Sequence, residues 1–183
     1  MKKILRKITE KFSDRKGFSL GELLAATLIL LLVSQVLAQG VAFAVRMYNE
    51  SLTRSHSKQL CSSLTAAIET ELRYATQITV NNKNGELTSY FSRIYGQTTG
   101  GFLSINEEDS KVDKGELAIK TSSGYQRLLS SSTYSSYDLQ AKVGSTKYVE
   151  AENKFTVELI IYDSNGKQLL ESTFDVIPIN KQK

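Results

Sequence analysis

This chain of 183 residues contains one cysteine, one histidine and one proline. Cys61 alone cannot close an intramolecular disulfide, so no disulfide framework holds the fold. His56 alone leaves no histidine cluster for a metal and no second imidazole base. The two lie five positions apart, about 140° around a helix, and so face different ways rather than forming a nucleophile–base pair. Cys61 is therefore expected as a packed helix residue and His56 as a solvated one. No glycine-rich loop followed by Lys-Ser or Lys-Thr is present to cradle a phosphate. These absences predict no enzyme, no cofactor and no small-molecule substrate.

Charge is unevenly placed. Residues 1–17 hold seven basic side chains (Lys2, Lys3, Arg6, Lys7, Lys11, Arg15 and Lys16) against Glu10 and Asp14. The remainder holds 16 basic and 17 acidic residues, a net charge of −1, so the positive balance of the whole chain belongs to its start. A near-neutral remainder argues against a general nucleic-acid surface. Ile4, Leu5, Ile8 and Phe12 recur at helical spacing opposite the lysines, a pattern that suits a membrane surface or a segment with no fixed structure.

After this basic start, Leu23–Val45 runs 23 residues without a charge, interrupted only by Thr27, Ser34, Gln35, Gln39 and Gly40. About 20 apolar residues cross a hydrocarbon core of roughly 30 Å, so the run is long enough to span a bilayer. Positive flanks stay on the cytoplasmic side, which places the C-terminal part outside. Glu22 stands at the edge of the run. Ionisable groups inside a membrane segment cost about 2.5–3.5 kcal/mol on insertion scales and mark functional positions by default, so a carboxylate at this edge needs a reason.

The stretch Lys16-Gly17-Phe18-Ser19-Leu20-Gly21-Glu22-Leu23-Leu24, with the helix after it, resembles the N-terminal signature of type IV prepilins and pseudopilins. In that family a basic leader ends in glycine, a hydrophobic residue follows, and a glutamate stands fifth in the mature chain. The resemblance covers residues 1–45, about a quarter of the protein. It implies that a prepilin peptidase cuts between Gly17 and Phe18 and methylates the new amine of Phe18. It also implies that the subunit then passes from membrane lipid into a filament of other pilin-like subunits. Glu22 would serve assembly and register, its carboxylate pairing with the Phe18 amine of a neighbour, because an isolated carboxylate among apolar groups is strongly destabilised. Three other readings compete: an ordinary single-pass anchor, a secretory signal ending near Ala42-Phe43-Ala44, and a buried helix of a soluble core.

Helical periodicity continues beyond the apolar run. Leu52, Leu60, Cys61, Leu64, Ala67, Ile68, Leu72 and Ala75 recur at three- and four-residue spacing, with Arg54, Lys58, Glu69, Glu71 and Arg73 between them. No proline falls between Phe18 and Ala75, so one helix of nearly 60 residues, about 85 Å long, is expected. Gly40 and Tyr48–Lys58 are where it would bend or melt. Short runs rich in β-branched and aromatic residues then predict strands over Gln77–Val80, Leu87–Tyr95, Phe102–Ile105, Glu116–Thr121, Tyr125–Leu129 and Tyr137–Val143. Lys154–Tyr162 and Gln168–Ile177 flank an Asn165-Gly166 turn, the clearest hairpin. Pro178 stands where the last strand should end. Tyr95–Gly101 and Ser130–Ser136 read as mobile loops.

The expected fold is therefore α+β and pilin-like, one long N-terminal helix with a membrane half and an amphipathic half, packed on an antiparallel sheet head. The domains are a cytoplasmic leader (1–17), a membrane and filament-core helix (18–45), its amphipathic continuation (46–76) and a β-rich head (77–183). Glu107, Glu108, Asp109, Asp113 and Glu116 contain enough oxygens for calcium, but Lys111 and Lys114 interleave them, and a solvated loop with no metal is the expectation. Two classes of function follow. One is a structural subunit, a minor pilin or pseudopilin, anchored in the cytoplasmic membrane and then displayed on a cell-surface filament for adhesion, secretion or competence. The other is a tip binding module touching DNA, a surface or a secreted substrate. For that second class Tyr125, Tyr134, Tyr137 and Tyr148 would form a sticky face, while a DNA contact has no support of its own.

Overall fold

In the computed structural model the described residues are 19–104, 115–135 and 138–180. The chain divides into two units, Met1–Asn49 and Glu50–Lys183. Helix α1, Leu20–Arg73, contributes to both. Leucine and alanine dominate its first half, and both favour helix strongly. Gly40 costs only about 1 kcal/mol against alanine, and the helix continues through it. The polar stretch Tyr48–Lys58 is helical as well. There Arg54 pairs with Glu50 one turn earlier at 3.1 Å, and Ser57 Oγ donates to the Thr53 carbonyl at 2.7 Å. The helix therefore does not melt at Gly40 or over Tyr48–Lys58.

Among the described residues the second unit builds its head from eight strands, one short α-helix and a single 3-10 turn at Glu150–Glu152. Strands β1 (Thr76–Val80), β2 (Leu87–Ser92), β3 (Gly96–Ser104), β4 (Leu117–Thr121) and β5 (Gly124–Arg127) form an antiparallel sheet in sequential order. Helix α2 (Ser131–Ser135) follows, and β6 (Leu139–Val149), β7 (Lys154–Asp163) and β8 (Gln168–Val176) form a second antiparallel sheet, again in sequential order. The fold is α+β as expected, a long N-terminal helix packed on an antiparallel β head, and the strands of that head divide into two sheets. The two loop expectations also change. Gly96–Ser104 is a strand pairing β2 on one side and β4 on the other, and Ser131–Ser135 is helical. The Asn-Gly hairpin matches expectation. Asp163 Oδ1 accepts from the Asn165 and Lys167 amides at 3.0 and 2.8 Å, and Gly166 takes φ +78°, where glycine carries no Cβ penalty.

The core forms where α1 meets the sheets within this unit. Leu60, Leu64, Ile68 and Leu72 supply one stripe, and alternating Phe155, Val157, Leu159 and Ile161 of β7 face it together with Leu87, Tyr90, Leu117 and Ile119. Full burial of each such aliphatic side chain contributes about 1.5–3 kcal/mol. The helix end is tied down by the C-terminal tail, where the Ile179 amide donates to the Arg73 carbonyl at 2.9 Å. That bond satisfies one of the carbonyls a helix terminus leaves open.

Candidate membrane and assembly segment

Residues from Leu20 to Tyr48 form a helix with no buried position. Leu23, Leu24, Leu28, Ile29, Leu30, Leu31, Leu32, Val36, Leu37, Val41 and Phe43 are each more than half exposed. Monomeric soluble proteins rarely show a contiguous apolar surface of this extent, and one this large marks a lipid or protein contact. The helix is long and apolar enough to cross a membrane. It is compatible with a membrane anchor.

Gly17 and Phe18, the two residues of the expected cleavage and methylation site, lie outside the described residues. Glu22 lies inside them, and its local role is plain. The Ser19 amide donates to Glu22 Oε2 at 2.9 Å, and the Glu22 amide donates to Ser19 Oγ at 3.2 Å. This reciprocal arrangement is a capping box, which satisfies amide donors that the first helical turn would otherwise leave open. Its carboxylate also sits at the positive end of the helix dipole, where an anion is stabilised. Ser-x-x-Glu before an apolar run is the signal for this role, and neither the insertion cost of Glu22 nor the resemblance points to it.

Within the apolar run the hydroxyls are spent locally. Thr27 Oγ1 donates to the Leu24 carbonyl at 2.9 Å and Ser34 Oγ to the Leu30 carbonyl at 2.7 Å. A hydroxyl that bonds back into its own helix adds little cost in an apolar medium.

In the head, several expected roles change. Glu71, read from its charge as part of the polar face, is only 5% exposed. Burial raises its carboxyl above the ordinary carboxylate range, against the pull of the Ser92 and Tyr90 hydroxyls that face it. Glu71 Oε1 and Tyr90 Oη are both buried without a hydrogen-bond partner. Burial, and then the neighbouring Glu71, push the Tyr90 phenol up in turn. Glu116 leaves the acidic group that was weighed for calcium. It is 2% exposed, and its Oε2 lies 3.0 Å from Arg127 Nε. Glu107, Glu108, Asp109 and Asp113 lie outside the described residues, and no group of three metal-ligating side chains occurs among the described ones.

The expected tyrosine face is also corrected. Tyr134 is buried and accepts from the Leu117 amide at 3.3 Å. Tyr148 is buried too, its ring 4.8 Å from that of Phe155 and its hydroxyl donating to Asn153 Oδ1 at 2.8 Å. Tyr137 is outside the described residues, and Tyr125 is half-buried beside Lys120. Apolar ring area was better used in the core than on a surface. Cys61 is buried as expected, and His56 is half-buried rather than solvated. Compared with family models, curated proteins and solved structures, the chain finds no match in any of the three.

Proposed function

We propose that this protein is a structural subunit, a minor pilin or pseudopilin, of a type IV pilus-like filament. A prepilin peptidase removes residues 1–17 by cutting between Gly17 and Phe18, and methylates Phe18. The apolar half of α1 holds the subunit in the membrane before assembly, with the head outside, and packs among the helices of other pilin-like subunits afterwards. One observation carries this reading: an uncovered apolar helix begins directly after the Gly17-Phe18 junction and continues into the core of a compact head. Such a helix needs lipid in one state and protein in the other, and both demands are met by the same surface.

The test is location. In the native host, the chain should appear in the sheared surface-filament fraction together with other pilin-like subunits. Its confinement to the membrane fraction while filaments form normally would overturn the proposal.

The capping box supports a second reading, a plain single-pass anchor. Glu22 then does nothing beyond starting the helix, since Ser19 already accounts for its carboxylate. The two readings separate on the Glu22→Gln variant described below.

A further inference from the structure

Two side chains in the apolar run keep their hydrogen-bonding capacity unspent. Gln35 and Gln39 make no hydrogen bond to any described residue, whereas Thr27 and Ser34 beside them are satisfied by their own helix. The two amides are four residues apart, about 40° around the helix, and so lie on one face. Gln35 stands about 18 Å along the axis from Leu23, close to the middle of the apolar run. Both are exposed on the helix surface.

Their neighbours extend the same line. Leu28, Leu32, Gln35, Gln39 and Ala42 follow one another at steps of four, three, four and three. Alternating steps of three and four mark a seam along which two helices pack side by side. Ala42 is small enough to let the backbones approach just below the glutamines. The opposite face, about 140–200° away, carries Leu30, Val33 and Leu37 and has no polar group to satisfy.

We infer that, in the membrane, this helix pairs with the same helix of a second copy of the chain through Gln35 and Gln39. An amide in hydrocarbon needs both a donor and an acceptor, which lipid does not provide. A like amide on an identical helix supplies both, so the face is complementary to itself. The inference rests on the membrane placement proposed above and requires neither cleavage at Gly17 nor a filament.

The experiment uses the full chain with Cys61→Ala, purified and reconstituted in phosphatidylcholine vesicles at low protein density. Single cysteines are placed at Ala42 on the seam or at Leu37 on the opposite face, and disulfide cross-linking is read on a gel. Flotation with the vesicles reports membrane placement separately. The expected result is dimer at Ala42→Cys, little at Leu37→Cys, and a loss on the order of tenfold when Gln35→Leu and Gln39→Leu are added to Ala42→Cys. Equal cross-linking from both faces, or none, or a dimer that survives both leucine substitutions, would overturn the pairing while leaving the anchor intact. A chain that fails to float would overturn the placement and the pairing with it.

Discussion

Ser19 and Glu22 hold each other across the first turn of α1, each side chain accepting from the other's backbone amide. A glutamine at the third helical position completes a capping box as well as glutamate does, but carries no charge. Glu22→Gln therefore separates the two roles open to this residue. Helix start is retained in Glu22→Gln and weakened by about 1 kcal/mol in Ser19→Ala, read as faster amide exchange at residues 20–23. If the carboxylate also pairs with a neighbour's amine, Glu22→Gln still fails to enter filaments, as do Glu22→Ala and Glu22→Val. Normal filament entry by Glu22→Gln would leave the residue as a cap alone.

Glu71 makes the head sensitive to pH. Its folded pKa lies above the ordinary 4.5, so between 4.5 and the raised value the unfolded chain releases this proton first. The stabilisation is complete below about pH 4.5 and is lost as pH rises through the folded value. Thermal melting of wild type against Glu71→Gln should show the variant gaining relative stability from pH 4 to pH 8. Parallel curves would contradict the assignment. Tyr90→Phe removes a buried hydroxyl that faces the Glu71 carboxyl without forming a hydrogen bond to it, and melting should place it within about 1 kcal/mol of wild type.

Glu116 and Arg127 form a pair with one member almost sealed from solvent. Arg127→Ala removes the cation beside the buried carboxylate and should destabilise the head by about 2 kcal/mol. Glu116→Gln with Arg127→Met, which removes both charges, should recover much of that loss. Denaturant titration of the full chain in detergent reads both, and equal losses in the single and double variants would contradict the pairing.

Leu64 and Ile68 on α1 are fully buried against the β-sheets of the head. Replacing either by alanine should cost about 2–5 kcal/mol through lost transfer energy and a residual cavity. The same change at Leu30 or Leu37, which are exposed, should leave the melting of the head unchanged. A similar loss at both sets would mean that the apolar half helps to stabilise the head.

Much of this was legible from pattern. The stripe Leu60, Cys61, Leu64, Ile68 and Leu72 follows directly from helical spacing, and the last hairpin from alternating β7 and β8 around Asn165-Gly166. Glu71 was misplaced because charge was weighed above spacing. It stands three residues after Ile68 and four before Ala75, squarely on the buried stripe. Only the end of strand β3, from Phe102, was legible, and its first part read as a loop. Gly96-Gln97-Thr98-Thr99-Gly100-Gly101 has weak strand propensity, and partners on both sides hold it extended. The division of the strands into two sheets depends on long-range packing that no local window contains.

The most direct test of the account is the N-terminus of the membrane-extracted protein from its native host, by intact mass and terminal-peptide analysis. The expected chain begins at N-methylated Phe18. A chain beginning at Met1 would contradict it and leave a plain anchor, and one beginning at Arg46 or Met47 would mean ordinary secretion of the head.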